Sequence, residues 1–184
     1  MTRKSLLAAT FSSLLCSLFF GSAIYAEEDV QAPSITDADR EQFRQFAQMK
    51  AFHAQMRANM RTVQIAVESY ATDSPMVYPK SVKDASPYLP GGSNKIGGKP
   101  GLFPTNPVTG VANEIPFTAP INSSAQIAKM IKLPPQYTTG KAGQIGYSVF
   151  NNNKSYVIVG TDMNGNAIPE KDGTYMILSN ETLK

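Results

Sequence analysis

The chain has 184 residues, with 17 Lys and Arg against 14 Asp and Glu, one histidine and one cysteine. The first 26 residues read as an export signal, which leaves 158 for one ordinary domain whose charge is about +1 once Arg3 and Lys4 are set aside. That balance argues against a dedicated nucleic-acid binder, and with Cys16 inside the signal and His53 the single histidine, zinc sites, haem attachment and Cys-His catalysis are excluded.

Arg3 and Lys4, an apolar run over residues 6–20 and small residues over 21–26 have the three-part layout of a secretory signal peptide cleaved after Ala26. The mature chain is then expected in the periplasm or outside the cell, with no membrane segment. The alternative is an uncleaved anchor, because the uncharged run 5–25 matches one bilayer crossing of about 20 residues. A lipid on Cys16 fits less well, since Leu15 stands where a small residue is expected.

Between Pro33 and Pro75 there is no proline or glycine, and Thr36 stands three residues before Asp39, a helix-start pattern. One long helix over 37–71 is predicted. Its apolar positions, Phe46, Met49, His53, Met56, Met60, Val63, Val67 and Tyr70, alternate three and four apart as a narrow seam. The first half is rich in Gln, Arg and Lys, and the second carries Val63, Ile65, Ala66 and Val67, so only the second half is expected to be buried. Residues 27–58 are read as a polar extension and 59–184 as the globular domain. The extension is expected to expose Phe43, Phe46, Phe52 and Met56 to a protein partner or to a second copy of the chain, because exposed apolar stripes mark interaction surfaces. The bland alternative lays the whole helix along its own domain.

Residues 73–143 hold 11 of the 13 prolines and read as one long ordered loop with at most short helices. One short turn is expected at Ser81 and Asp84, ending before Pro87, and another after Ser124, running through Ile127. From residue 145 the texture changes to alternation. Three strands are predicted, around Ile145 to Val149, Tyr156 to Val159 and Tyr175 to Leu178, separated by Asn151 to Lys154, Asn164-Gly165 and Asp172-Gly173 turns. The expected fold class is α+β, with a long N-terminal helix packed on a C-terminal antiparallel sheet of three to four strands.

On these residues the chain resembles a family. Asn59, Thr62, Gln64, Ala66, Glu68 and Tyr70 on the helix, followed by Tyr78-Pro79 and Tyr88-Leu89-Pro90, resemble the soluble part of bacterial type IV pilin-like proteins. Asn106-Pro107-Val108-Thr109-Gly110, Gly146-Tyr147, Tyr156, Gly160-Thr161-Asp162 and Gly165 are similar to the type II secretion major pseudopilins. The resemblance implies a pilin-like fold and a filament or secretion-system subunit. The chain departs from that pattern at its N-terminus: residues 27–44 are polar where the family carries an apolar stem.

Asp162, Asn164 and Asn166 repeat at the alternate spacing of a calcium loop, with Asp172 further on. Ala167 stands where such a loop needs glycine, and the competing reading is a plain Asn-Gly hairpin turn. The resemblance adds calcium in the loop between the last strands. Calcium is thus the one cofactor considered, and otherwise none is expected. His53 reads as a packed or interface residue, and Glu68 as a carboxylate hydrogen-bonded to the loop's backbone. The seven lysines of 73–143 against three acidic residues read as a solvated face, not a DNA site. No serine elbow, phosphate loop or metal cluster appears in the sequence, so the expected function is non-enzymatic protein contact. The alternative is a soluble periplasmic module binding calcium or an envelope partner.

Overall fold

The computed structural model describes residues 36–132, 141–170 and 173–181. The expected signal at 1–26, the start of the polar extension and Asp172 lie outside the described residues. Helix α1 spans Asp37–Asp73 and starts with Asp37 and Asp39 in its first turn, where carboxylates complement the helix dipole. It ends where Pro75 cannot continue it, with Met76 in the left-handed region at φ 53°. A 3-10 helix, Val82–Tyr88, follows. Its N-cap is the expected pair: the Ser81 hydroxyl accepts from the Lys83 amide, and the Asp84 carboxylate accepts from the Ser81 amide. The helix runs through Pro87 rather than stopping before it.

Strand β1, Phe117–Thr118, and helix α2, Ser124–Lys132, precede β2, Ile145–Phe150, β3, Ser155–Gly160, and β4, Ile177–Ser179. The α2 amide at Gln126 is capped by the Ser123 hydroxyl, one residue before the expected cap. The sheet order is β1-β2-β3-β4. β2 and β3 are antiparallel, joined by a turn in which Asn151, Asn152 and Asn153 all take positive φ, a conformation asparagine tolerates. β3 and β4 are also antiparallel. β1 runs parallel to β2, pairing Phe117 with Gly146 and Thr118 with Tyr147. The expectation of a purely antiparallel sheet is therefore corrected to a mixed one. The connection from β1 to β2 passes through α2, and a crossover of that kind is what parallel neighbours need.

Two cores flank the sheet. On one side Met56, Met60, Val63, Ala66 and Val67 of α1 meet Ile145, Tyr147, Tyr156 and Ile158, with Val82, Ala85, Leu89 and Phe103 closing the end. On the other, Ile127 of α2 joins Ala119 and Ile121 against Phe150, Val157 and Val159. β3 is buried on both faces for this reason and reads as a continuous apolar run. The helix comes very close at Gly160, where a Cβ would stand 2.8 Å from the Met60 sulfur.

The long loop is pinned by side chains. Asn106 accepts from the Val108 and Thr109 amides at 2.9 and 3.2 Å and donates to Glu114 at 2.7 Å and to the Ala142 carbonyl at 2.9 Å. Gly143, at φ +67°, lets the chain pass this asparagine, since a Cβ there would lie 2.5 Å from its Oδ1. The Asn106 to Gly110 stretch is thus a fastened turn.

Candidate functional site

Every residue of 37–51 is exposed, and burial on α1 begins at Phe52. Phe43, Phe46 and Met49 are 68%, 50% and 45% exposed, whereas Phe52 is 6% and Met56 0%. The expected exposed set is therefore split. Phe43 and Phe46 stand in solvent, and Phe52 and Met56 are corrected to core residues. Sequence periodicity fixes the face of a helix but not where along its axis the sheet ends. Here the body reaches back past the polar Gln55 and Arg57 to Phe52. His53 is half-buried beside Phe52, ring centroids 5.8 Å apart, as its seam position implied.

Two local ion pairs form on the exposed stretch. Arg44 meets Glu41 at 2.7 Å and Arg40 meets Asp37 at 3.4 Å. The Arg44 hydrogen bond, with that from Gln45, holds the Glu41 carboxyl below its ordinary pKa. The Lys50 ammonium lies 4.4 Å from the Phe46 ring centre, a cation-π contact on the same stripe.

Where α1 enters the body, Arg57 makes a two-pronged ion pair with Glu170, at 2.8 and 2.7 Å. It flanks a groove of about 320 Å³ that is also lined by Arg61, Tyr175, Ile177 and Leu178. This pair joins residues 113 apart, and no local sequence signal pointed to it.

Further along α1, a polar network crosses to the sheet. The buried Tyr156 hydroxyl donates to Glu68 at 2.6 Å and accepts from Gln64 at 2.7 Å. Glu68 is exposed, and its partner is this strand tyrosine, so its expected bond to loop backbone is corrected. Burial, and then the Glu68 hydrogen bond, push the Tyr156 phenol above the usual tyrosine range. Tyr147 is pushed up too, chiefly by burial, and its hydroxyl donates to the Pro79 carbonyl at 2.7 Å.

The Asp162 turn is built as a hairpin corner. Asp162 Oδ1 accepts from the amides of Asn164 and Asn166 at 2.7 and 2.8 Å, and the Asp162 amide donates to the Asn166 carbonyl at 2.6 Å. Gly165 supplies the positive φ, 83°. Thr161 and Ala167 close the corner as a bridge. One oxygen of the proposed calcium ligand is therefore already engaged by backbone, and Asp172 lies outside the described residues. Among the described residues, no three His, Cys, Asp or Glu side chains come together as a metal-binding group. Comparison of the chain with models of protein families, with curated proteins and with solved structures finds no match.

Proposed function

We propose that the chain is an exported, non-enzymatic protein of pilin-like or pseudopilin-like build that acts through protein contacts of α1 in a type II secretion or type IV pilus-like system. The observation that carries this reading is the seam of α1. The face that buries Met56, Met60, Val63 and Val67 against the sheet continues outward as Met49 and Phe46, with Phe43 beside it, all in solvent. Monomeric surfaces scatter their large apolar residues, and a stripe of three on one helix is the pattern of a contact surface. A long helix followed by a fastened loop and a C-terminal hairpin on its apolar face supports the pilin-like build. Glu68, exposed, and Glu114, half-buried, are both engaged by phenol and amide groups of the fold, which supports the non-enzymatic part.

The test is photo-crosslinking in the cells that make the protein, with the reactive residue at Phe46 or, as control, at Ile65, which is 62% exposed further along the helix. A discrete protein adduct from position 46, absent from 65, in a protein that fractionates with secretion or pilus subunits is expected. No adduct from 46, or identical adducts from both positions, would overturn the reading.

A further inference from the structure

We infer that the exposed stretch of α1 pairs with the same stretch of a second copy, antiparallel, in a register that sets Phe43 of one chain across from Phe46 of the other. The inference rests on the proposed use of α1 as a contact surface and names the partner.

Asp39, Phe43, Phe46 and Lys50 recur four, three and four residues apart, so they stand in one stripe of α1. All four are exposed. A helix paired with a second copy of itself must place this stripe against itself in one of two directions. Parallel and in register, Asp39 meets Asp39 and Lys50 meets Lys50, two like-charge contacts. Antiparallel, the Phe43 to Phe46 crossing happens twice by symmetry, and the same register places Asp39 across from Lys50 at both ends. The spacing makes this automatic: Asp39 lies seven residues before Phe46, and Phe43 seven before Lys50.

Length agrees with the same register. Asp37, the first residue of the helix, falls across from Phe52, where burial begins. Each exposed stretch, about 22 Å of helix at 1.5 Å per residue, is then covered over its whole length, and each pairing stops where the partner's folded body starts. One geometry thus sets opposite charges together at both ends and the phenylalanines together between them, with twofold symmetry as an isologous contact requires. A contact of about four turns is small for a specific interface, so the dimer belongs in the micromolar range of chain concentration.

The experiment is sedimentation equilibrium of the protein purified as its own cells process it, from 1 to about 100 µM, the span a small interface calls for. A monomer-dimer equilibrium is expected. Phe43→Asp combined with Phe46→Asp raises the dissociation constant by at least about tenfold, the scale of interface anchors, with the melting temperature of the monomer unchanged because both sites are exposed. Asp39→Lys and Lys50→Asp each weaken the dimer, and the double variant restores it, since in the antiparallel register it exchanges the two ends of one attraction. A monomer at the highest concentration, an unaffected Phe43/Phe46 variant, or a double charge variant no better than the single ones would each overturn the inference. A purified monomer combined with a position-46 adduct to a different protein in cells would remove the self-pairing and leave the proposed function standing.

Discussion

Tyr156 shows how much of this fold hangs on single hydroxyl groups. Its ring is fully buried, with Tyr78 edge-on at 4.7 Å and Tyr147 stacked at 6.5 Å, and its hydroxyl ties the sheet to the polar side of α1 through Gln64 and Glu68. The native state holds this phenol, and that of Tyr147, in the neutral form. In the unfolded chain both ionise near the ordinary tyrosine value of about 10. The sign follows: a raised folded pKa means that the unfolded chain binds fewer protons above that value, so the contribution is complete below about pH 10 and is lost as pH rises beyond it. Urea unfolding should therefore show stability level through neutral pH and falling above about pH 10. Tyr156→Phe should cost about 1 kcal/mol at pH 7, the worth of a net hydrogen bond, because Gln64 loses an acceptor and Glu68 a donor. It should also make the alkaline fall shallower, with Tyr147 still contributing. Equal slopes for the variant and the parent would mean that Tyr156 does not carry the alkaline term.

Along one element, α1, the same periodic sequence does two jobs. Met60 is fully buried under Gly160, and Met49 on the same seam is 45% exposed. Met60→Ala should lower stability by about 2–5 kcal/mol, the range for emptying a packed core site. Met49→Ala should stay within about 0.5 kcal/mol, as surface changes do. Denaturant titration of the two variants at a concentration where the chain is monomeric separates them, and equal losses would mean that the seam is packed along its full length. The limits of α1 were legible because no proline or glycine interrupts it and Thr36 precedes a carboxylate-rich first turn. Strand β2 was legible through alternation, β3 as a short apolar run, and the asparagine turn marked the connection between them. β1 was not: it is two residues, Phe117 and Thr118, between Pro116 and Pro120, and it is a strand only because β2 offers an open edge. β4 begins at Ile177, not Tyr175, since Tyr175 bridges back to Pro169 first. The candidate surface was half legible. Phe43 and Phe46 followed from polar neighbours on a long helix, whereas the burial of Phe52 and Met56 depends on how far the sheet and the loop reach, which a helical period does not encode.

At the scale of the molecule, the exposed stretch of α1 raises the question of why it is helical at all. A lone helix of about 15 residues is marginal in water, because its first turn fixes several dihedrals for one hydrogen bond. Here the nucleus already exists: residues from Phe52 onward are held by the core, so each residue added toward the N-terminus needs only propagation. The pairs Arg40 with Asp37 and Arg44 with Glu41 and the carboxylates of the first turn favour the helix weakly, as local pairs in solvent do. The stretch therefore frays from its N-terminal side rather than melting as a unit. Hydrogen exchange on the dilute monomer should show amide protection that climbs steadily from residue 41 to residue 52 and reaches the global level by Met60, where opening requires the core to open. Once the seam is covered by a partner, the gradient should flatten, since fraying then breaks apolar contacts along the whole stripe. Uniform high protection in the dilute monomer would contradict this account, because it would require contacts along 37–51 where every side chain stands in solvent. Absence of any protection there would contradict it equally, because propagation from a fixed core would not be sustaining the helix. A graded result would fit the proposed contact: the body nucleates a helix longer than it covers, and a partner docking on Phe43 and Phe46 as proposed would meet turns already helical and bind without the full entropic cost of folding them.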